Sequence, residues 1–418
     1  MEGENMERGL LAECNRGREA DTKPNSTASP LVVFSTFITV CGSLTFGIAL
    51  GYTADTMSSI MEDLDVSLAQ YSFFGSLLTF GGMIGAIFSA KIAAIFGRKV
   101  TLWLAEIFCI IGWLAIALAK IHYVLGNFFH WRTLAILGVI PCIMQVIGLF
   151  FIPESPRWLA KEGKEKEFEI VLQRLRGKKT DISQEAREIR HSVEVSKQNS
   201  NIGLRNLFRK RYARQLTVGI GLMLLQQLSG SAGVMYYAKS IFEFAGFPSQ
   251  IGMTSLSLIM VPKALLGLIL VDRWGRRPLL MASAIGMCSS CIVLSVAFGV
   301  QSSPRFENLT PVLAFVGTVI YNTTFAVGLG ALPWIIMSEI FPINMKVLAG
   351  SIVTMANWST SWVITYCFNF MLQWSHTGTF TIFAVVCGMT IVFTWCLVPE
   401  TKGLTLEEIQ VSFANALR

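Results

Sequence analysis

Long apolar runs, separated by short polar or charged turns, dominate the chain. Ten of them approach the roughly 20 residues that an α-helix needs to cross a bilayer. They are Leu31–Leu50, Tyr71–Ile95, Val100–Ala119, Thr133–Ile152, Leu216–Tyr237, Met253–Val271, Leu279–Val300, Val312–Met337, Val347–Phe370 and Phe380–Val398. None holds more than one Asp, Glu, Lys or Arg. The pattern predicts an all-α polytopic membrane protein of about ten transmembrane helices, with both termini on one side. A soluble protein would need an unusual number of buried helices to produce it.

The polar stretch Pro153–Arg214 divides these runs into four and six. It carries 16 of the 34 Lys and Arg, against nine acids. A basic loop of this length between apolar spans marks the cytosolic face, and every span then takes a direction. The expected organisation is a cytosolic tail over 1–30, an incomplete N-terminal bundle over 31–152, the cytosolic loop over 153–214, a six-helix bundle over 215–398 and a cytosolic tail over 399–418. Acid–base periodicity in the loop predicts short amphipathic helices, broken at Gly163 and Gly177.

Composition narrows the classes. The chain is 53% hydrophobic and 15% charged, with a mean hydropathy of +0.55, where a soluble domain carries roughly 25% charge. The net charge of +7 sits mostly in the central loop and reads as orientation charge facing anionic lipid. That loop lacks aromatic interleaving, so no nucleic-acid partner is expected. The nine cysteines are scattered. Cys288 and Cys291 have CxxC spacing but lie in an apolar run with no second pair and no histidine nearby, so helix packing is expected rather than a metal site or disulfide framework. The first 30 residues lack an apolar h-region and do not read as a signal peptide. No Walker lysine or dinucleotide glycine pattern occurs, and no nucleophile–base–acid set stands out. Neither an enzyme nor a cofactor is expected.

Two pairs of turns resemble each other. Gly97-Arg98-Lys99 follows the second span, and Gly275-Arg276-Arg277 follows the second span of the later block. Pro153-Glu154-Ser155-Pro156-Arg157 follows the fourth span, and Pro399-Glu400-Thr401-Lys402-Gly403 follows the last. An internal repeat explains the pairing. Between matching landmarks the later copy has six spans and the earlier only four. Two spans are absent after the third. Their loss preserves the direction of every remaining span but not the packing.

Polar residues inside spans are the candidate chemistry. Gln226, Gln227 and Tyr237 flank Gly230 and Gly233. An amide both donates and accepts, as a solute hydroxyl requires, or it glues helices together. Pro333 bends the run Gly328–Trp334. Trp334 stacks on a sugar ring or anchors the interface, and Asn357 in the next span is a weaker candidate. At the inner rim, Arg98, Arg157, Arg273, Arg276 and Arg277 meet Glu154, Glu339 and Glu400. Ion pairs there hold one gating state, or the arginines simply obey the positive-inside rule. Asp55 and Glu106 are intramembrane carboxylates and so proton-relay candidates, Asp55 near the outer end and Glu106 alternatively pairing with an arginine. Asn308-Leu309-Thr310 is a glycosylation sequon on the outer side.

Together, Gly97–Lys99, Pro153–Leu159, Gln226–Gly230, Tyr236-Tyr237, Asp272–Arg277, Pro333-Trp334, Glu339–Pro342 and Pro399–Gly403 resemble the sugar porter family of the major facilitator superfamily. Ser43–Met61 and Gly126–Trp158 are similar to the plant early-responsive-to-dehydration-six-like monosaccharide transporters. The resemblance implies twelve helices in two halves, alternating access, and hexose or pentose transport by facilitated diffusion or proton symport, at the plasma or vacuolar membrane. A polyol cargo is an alternative. By position, Gln226, Gln227, Tyr237 and Trp334 match family sugar-pocket residues, and Arg98, Glu154, Arg273, Glu339 and Glu400 match inner-gate charges. The chain departs from the family at Ala232, Leu329 and Ala331, which replace an asparagine and two prolines. The fourth helix and most of the fifth are missing: Tyr123–Phe129, close after Ala119, resembles the tail of the fifth. A skipped exon or a gene-model error leaves such a chain. The implied partners are a monosaccharide, protons in the symport reading, membrane lipid and, for a truncated non-transporting form, an intact transporter.

Overall fold

The computed structural model describes residues 29–119, 131–177, 180–198, 210–301, 305–306, 308–341, 345–404 and 408. The tail before residue 29, the Tyr123–Phe129 stretch and the side chain of Asp55 lie outside the described residues.

The N-terminal half begins with α1 (Pro30–Leu64), which has Pro30 in its first turn, where the missing N–H costs nothing. The sequence suggested a loop after Leu50, but the helix continues to Leu64. No proline interrupts residues 51–64, and the first stop is Asp65 in the left-handed region at φ 50°. The outer acids Glu62 and Asp63 therefore ride on a helix. α2 (Leu68–Phe96) opens with a capping box: the Ser67 hydroxyl accepts from Gln70 N, and Gln70 Oε1 accepts from Ser67 N at 2.8 Å. α3 (Arg98–Ala117) and α4 (Trp131–Phe151) pack side by side.

Three short helices follow: α5 (Pro156–Lys161), α6 (Glu165–Arg176) and α7 (Ser183–Gln198). Gly163 at φ 77° and Gly177 at φ 98° break the chain between them, in a backbone region open to glycine. Phe168, Leu172 and Ile189 form a small core of their own.

The C-terminal half contains α8 (Lys210–Leu228), the short α9 (Ser231–Tyr236) and α10 (Ala238–Phe244), α11 (Ser249–Trp274), α12 (Arg276–Val300), α13 (Thr310–Val327), α14 (Leu332–Ile340), α15 (Lys346–Trp374) and α16 (His376–Leu397). Among the described residues, nine helical spans are long and apolar enough to cross a membrane. The tenth expected span, α15, is not one of the nine although it has 29 residues. Buried Asn357, Ser361, Thr365 and Asn369 dilute its hydropathy and face protein instead of lipid.

The repeat is visible in the packing. α3 lies on α4 as α12 lies on α16. The later half places α13, α14 and α15 between its pair; the earlier half has only residues 118–130 there. α3 and α4 close directly on each other, and Arg132 Nη2 donates to Ala119 O at 3.3 Å across the junction.

The halves meet from mid-membrane to the outer end. α2 runs along α15: Asn369 Nδ2 donates to Ser72 Oγ at 2.9 Å, Phe80 and Trp362 lie 5.8 Å apart, and the Trp358 ring covers Gly82 so closely that a Cβ there would lie 2.6 Å from it. At the outer end of α1, Lys239 Nζ reaches Ser58 Oγ at 3.4 Å. Because lipid is as apolar as leucine, small residues and polar glue of this kind hold such helices together.

Candidate substrate site and inner rim

Two helix breaks face each other in the later half. α8 ends at Leu228, and Gly230 at φ 92° restarts the chain as α9. α13 ends at Val327, and residues 328–331 lead into α14. A break leaves carbonyls without helical donors, and Gln226 supplies them. Its Nε2 donates to Leu329 O at 2.6 Å and to Gly330 O at 3.2 Å. Its Oε1 accepts from Asn357 Nδ2 at 2.8 Å. Asn357 Oδ1 accepts from Gln227 Nε2 at 3.3 Å, and Gln227 Oε1 accepts from Ser231 Oγ at 3.2 Å. One amide chain thus ties α8, α9, the α13–α14 break and α15.

The members of that chain differ in what they leave open. Gln226 and Asn357 are each 2% exposed and occupied by protein partners. Gln227 and Trp334 are only half-buried. Tyr237, 1% exposed, stacks on Phe368 at 5.4 Å, and its hydroxyl donates to Thr365 O at 3.4 Å. A Cβ at Gly75 of α2 would lie 3.1 Å from that hydroxyl, so Tyr237 closes the seam between the halves. Sequence reading overlooked Ser72, Thr365 and Asn369, which form this seam. An asparagine at membrane depth was the available signal for Asn369.

Glu106, 4% exposed, is buried near the Cys142 thiol, which sits 3.6 Å from Thr45 Oγ1, and Glu106 Oε2 has no hydrogen-bond partner among the described residues. The alternative of an arginine partner for Glu106 finds no ion pair among the described residues. The structured cation–carboxylate contact of this half is at the outer rim, where Arg132 meets Asp63 at 3.6 Å while Trp131 Nε1 donates to the same carboxylate at 2.8 Å. Asn308 is exposed, two residues before α13 begins.

The inner rim is built twice. Gly97 and Gly275 cap α3 and α12 with nearly identical backbones, φ 88° and 92°, ψ 171° in both. Glu154 Oε1 accepts from Arg98 N at 2.9 Å, and both its oxygens lie near Lys99 N. Glu400 accepts from Arg276 N at 3.0 Å and Arg277 N at 3.1 Å. These carboxylates serve the free N–H groups and positive dipole end of a helix, not an arginine side chain. Within the expected charge set, Arg276 pairs with Glu339 at 3.0 Å, and Thr401 Oγ1 donates to the other oxygen of Glu339 at 2.6 Å. Arg277 Nη2 donates to Trp395 O, Lys402 Nζ to Arg273 O and Arg98 Nη1 to Ser155 Oγ. Arg157 and Arg273 are exposed. Burial raises the Glu400 carboxyl, but four backbone N–H donors, from Lys402, Arg276, Arg277 and Thr401, outweigh it and hold the group below the usual carboxylate range.

A family profile described as "Sugar (and other) transporter" matches residues 121–413. The chain belongs to the sugar transporter family. "Sugar transporter ERD6-like 12" of Arabidopsis thaliana is 59% identical, the alignment covering 99% of this chain and 100% of the relative. "Sugar transporter ESL1" of the same plant is 47% identical over 99% and 98%. The first alignment is 468 positions long against 418 residues here, so at least 50 positions have no residue of this chain, about the length of two spans and a turn. The profile match starts at the α3–α4 junction, where the repeat is short. Among solved structures, the inward-open xylose transporter XylE from E. coli aligns over 90% of this chain and 98% of its own, with a TM-score of 0.74 and 21% identity. XylE as a proton:xylose symporter bound to 6-bromo-6-deoxy-D-glucose gives 0.70 and 22%. The fold is that of the major facilitator superfamily, and the chain is a multi-pass membrane protein.

Proposed function

We propose that this sugar transporter family member carries a monosaccharide, held by the later half at the facing helix breaks. The observation that carries the reading is the amide chain Gln226–Asn357–Gln227–Ser231 beside half-buried Trp334. An uncharged polyhydroxylated cargo needs donors and acceptors together with an apolar ring face. Gln227 offers its remaining hydrogen-bond capacity and Trp334 its indole surface. Gln226 and Asn357 hold the wall from behind. Tyr237 closes the seam on the outer side of the cargo, and the Arg276–Glu339–Thr401 cluster holds the inner end of α12 against α14 until the gate opens. The relatives' sugar-transporter names and XylE's xylose cargo support this substrate class.

In the symport reading, Glu106 is the proton site. It is a mid-membrane carboxyl buried between α3 and α4, with the Cys142 thiol beside it. The deciding measurement is labelled glucose, xylose and sorbitol uptake in yeast lacking hexose transport. Gln227→Ala is expected to raise the apparent KM for the monosaccharide several-fold at unchanged expression. An unchanged KM removes Gln227 from the pocket, and sorbitol preferred over both sugars makes the cargo a polyol. An initial rate indifferent to dissipation of the pH gradient removes symport and the role of Glu106.

A second reading is favoured by the shortened earlier half: a truncated form that acts by associating with an intact transporter. Uptake that requires co-expression of a full-length relative supports it.

A further inference from the structure

Two buried oxygens of the earlier half lack a donor. Glu106 Oε2 and Gln145 Oε1 are both shielded from solvent and without a hydrogen-bond partner among the described residues. Glu106 is 4% exposed and Gln145 1%. A buried acceptor left unpaired is costly, and two at one place have a common explanation.

Helix register brings them to one place. The Trp113 ring of α3 lies against Gly138 of α4, so close that a Cβ there would be 2.7 Å from it. Further along, Trp103 and Phe150 lie 4.4 Å apart, so the two helices run antiparallel. Glu106 is seven residues before Trp113, and Gln145 seven residues after Gly138. Seven residues are two turns, which return a helix to the same face. The faces that meet at Trp113 and Gly138 therefore meet again at Glu106 and Gln145. On its other side Gln145 rests on α1: a Cβ at Gly42 would lie 2.8 Å from Oε1 and 3.1 Å from Nε2.

Packing does not demand this pair. The later half builds the same helix pair from α12 and α16. Counted from Gly97 and Gly275, the match of Glu106 is Ala284; counted from Pro153 and Pro399, the match of Gln145 is Ile391. Both are apolar. Nor does a cation neutralise Glu106. The thiols of Cys41, Cys109 and Cys142 share its depth. The outer ends of α1 and α4 hold Tyr52, Asp55, Glu62, Asp63 and Arg132, and the outer end of α2 holds Tyr71. Lys91 is near the inner end of α2. Arg98 and Lys99, two turns inward on α3, donate to Ser155 Oγ and Phe150 O.

We propose that Glu106 holds a proton in this arrangement and donates it to Gln145 Oε1, a carboxyl–amide pair that joins α3 and α4 against α1. One proton then serves both oxygens and leaves no net charge at mid-membrane, where a lone carboxylate is expensive. Gln145 is a positioning residue. With Gly42 directly behind it, a carboxylate facing its carbonyl pushes the amide onto α1 or turns it over. Loss of the proton is thus felt by the helix that meets α9 and α10 of the other half. The pair deepens the reading of Glu106 as the proton site and holds whether or not the proton travels with the cargo.

The test is infrared spectroscopy of the purified full chain in lipid at neutral pH. Wild type minus Glu106→Gln should show a protonated-carboxyl C=O band. Gln145→Met should move that band to higher frequency, as loss of an acceptor does, and Cys142→Ala should leave it in place. If Gln145→Met does not fold, Glu106→Asp, whose shorter arm withdraws from Gln145, should give the same upward shift. Absence of the band overturns the proposal. So does a band that appears only when sodium is replaced by a bulky organic cation, which makes the pair a sodium site. A band moved by Cys142→Ala and not by Gln145→Met overturns the pairing. An intact, Gln145-dependent band beside uptake indifferent to the pH gradient supports the pair and removes symport alone.

Discussion

Gly97 and Gly275 show how far charge reading carries at the scale of a residue. The acids at Glu154 and Glu400 were legible from their place after matching spans. Their partners were not, because charge alone points to the adjacent arginines. The partners are backbone N–H groups, and the reason is geometric: a backbone at φ near 90° and ψ 171° is open to glycine almost alone. A Cβ would meet the carboxylate at 2.5 Å in one half and 2.8 Å in the other. Gly275→Ala should therefore cost about 1–3 kcal/mol from the backbone alone, and more as Glu400 is displaced, read as a lower melting temperature in detergent. Glu400 adds a pH dependence. Its folded carboxyl titrates below the unfolded value, so its contribution is present above the unfolded Glu value, about 4.3, and is lost as pH falls through the lower folded value. Wild type should thus exceed Glu400→Gln in melting temperature at neutral pH, and the two should converge in acid. A gap that stays constant down to pH 3 would contradict the capping role.

At the scale of an element, the spans were legible because a run of roughly twenty apolar residues fits few environments except lipid. Their ends were less so. α1 runs fourteen residues past the apolar boundary at Leu50 because hydropathy marks lipid, whereas helix ends are marked by stops such as Asp65. The broken helices were half legible. Gly230 and the Gly328–Pro333 run announced interruptions, but that Gln226 mends one break from across the other required coordinates. Its two acceptors are backbone carbonyls about a hundred residues away, which no local pattern encodes. This separates two neighbouring glutamines. Gln226→Ala leaves the Leu329 and Gly330 carbonyls and the Asn357 amide short of partners, at about 1–3 kcal/mol for each buried group left unpaired. It should lower the amount of folded protein and its melting temperature. Gln227→Ala should leave both nearly unchanged and act on the cargo. Equal loss of stability in the two variants would place Gln227 in the wall beside Gln226, and no loss in Gln226→Ala would return Gln226 to the pocket.

For the whole molecule, the shortfall was visible as a repeat with six spans in one copy and four in the other, and the 50 or more unmatched alignment positions agree. What the sequence could not tell is how the remaining helices respond. α3 and α4 close on each other, the α2–α15 seam and the outer contact at Lys239 are kept, and the amide chain of the later half is complete. The loss falls on one side, where α11 has no cover from the earlier half. A carrier that works by rocking two halves needs a contact on both sides of its central path, and here α2 on α15, with the smaller contacts of α1 on α9 and α10, bears it. Binding and transport should therefore separate. Reinserting the two helices at the α3–α4 junction should leave the Gln227-dependent sugar affinity within about twofold, since every residue of that wall lies in the later half. It should raise maximal uptake several-fold, since it adds the second inter-half contact and seals the path from lipid. Uptake in yeast membranes, normalised to surface protein, measures both. Equal maximal rates would mean that the slot is already closed in the chain as it stands.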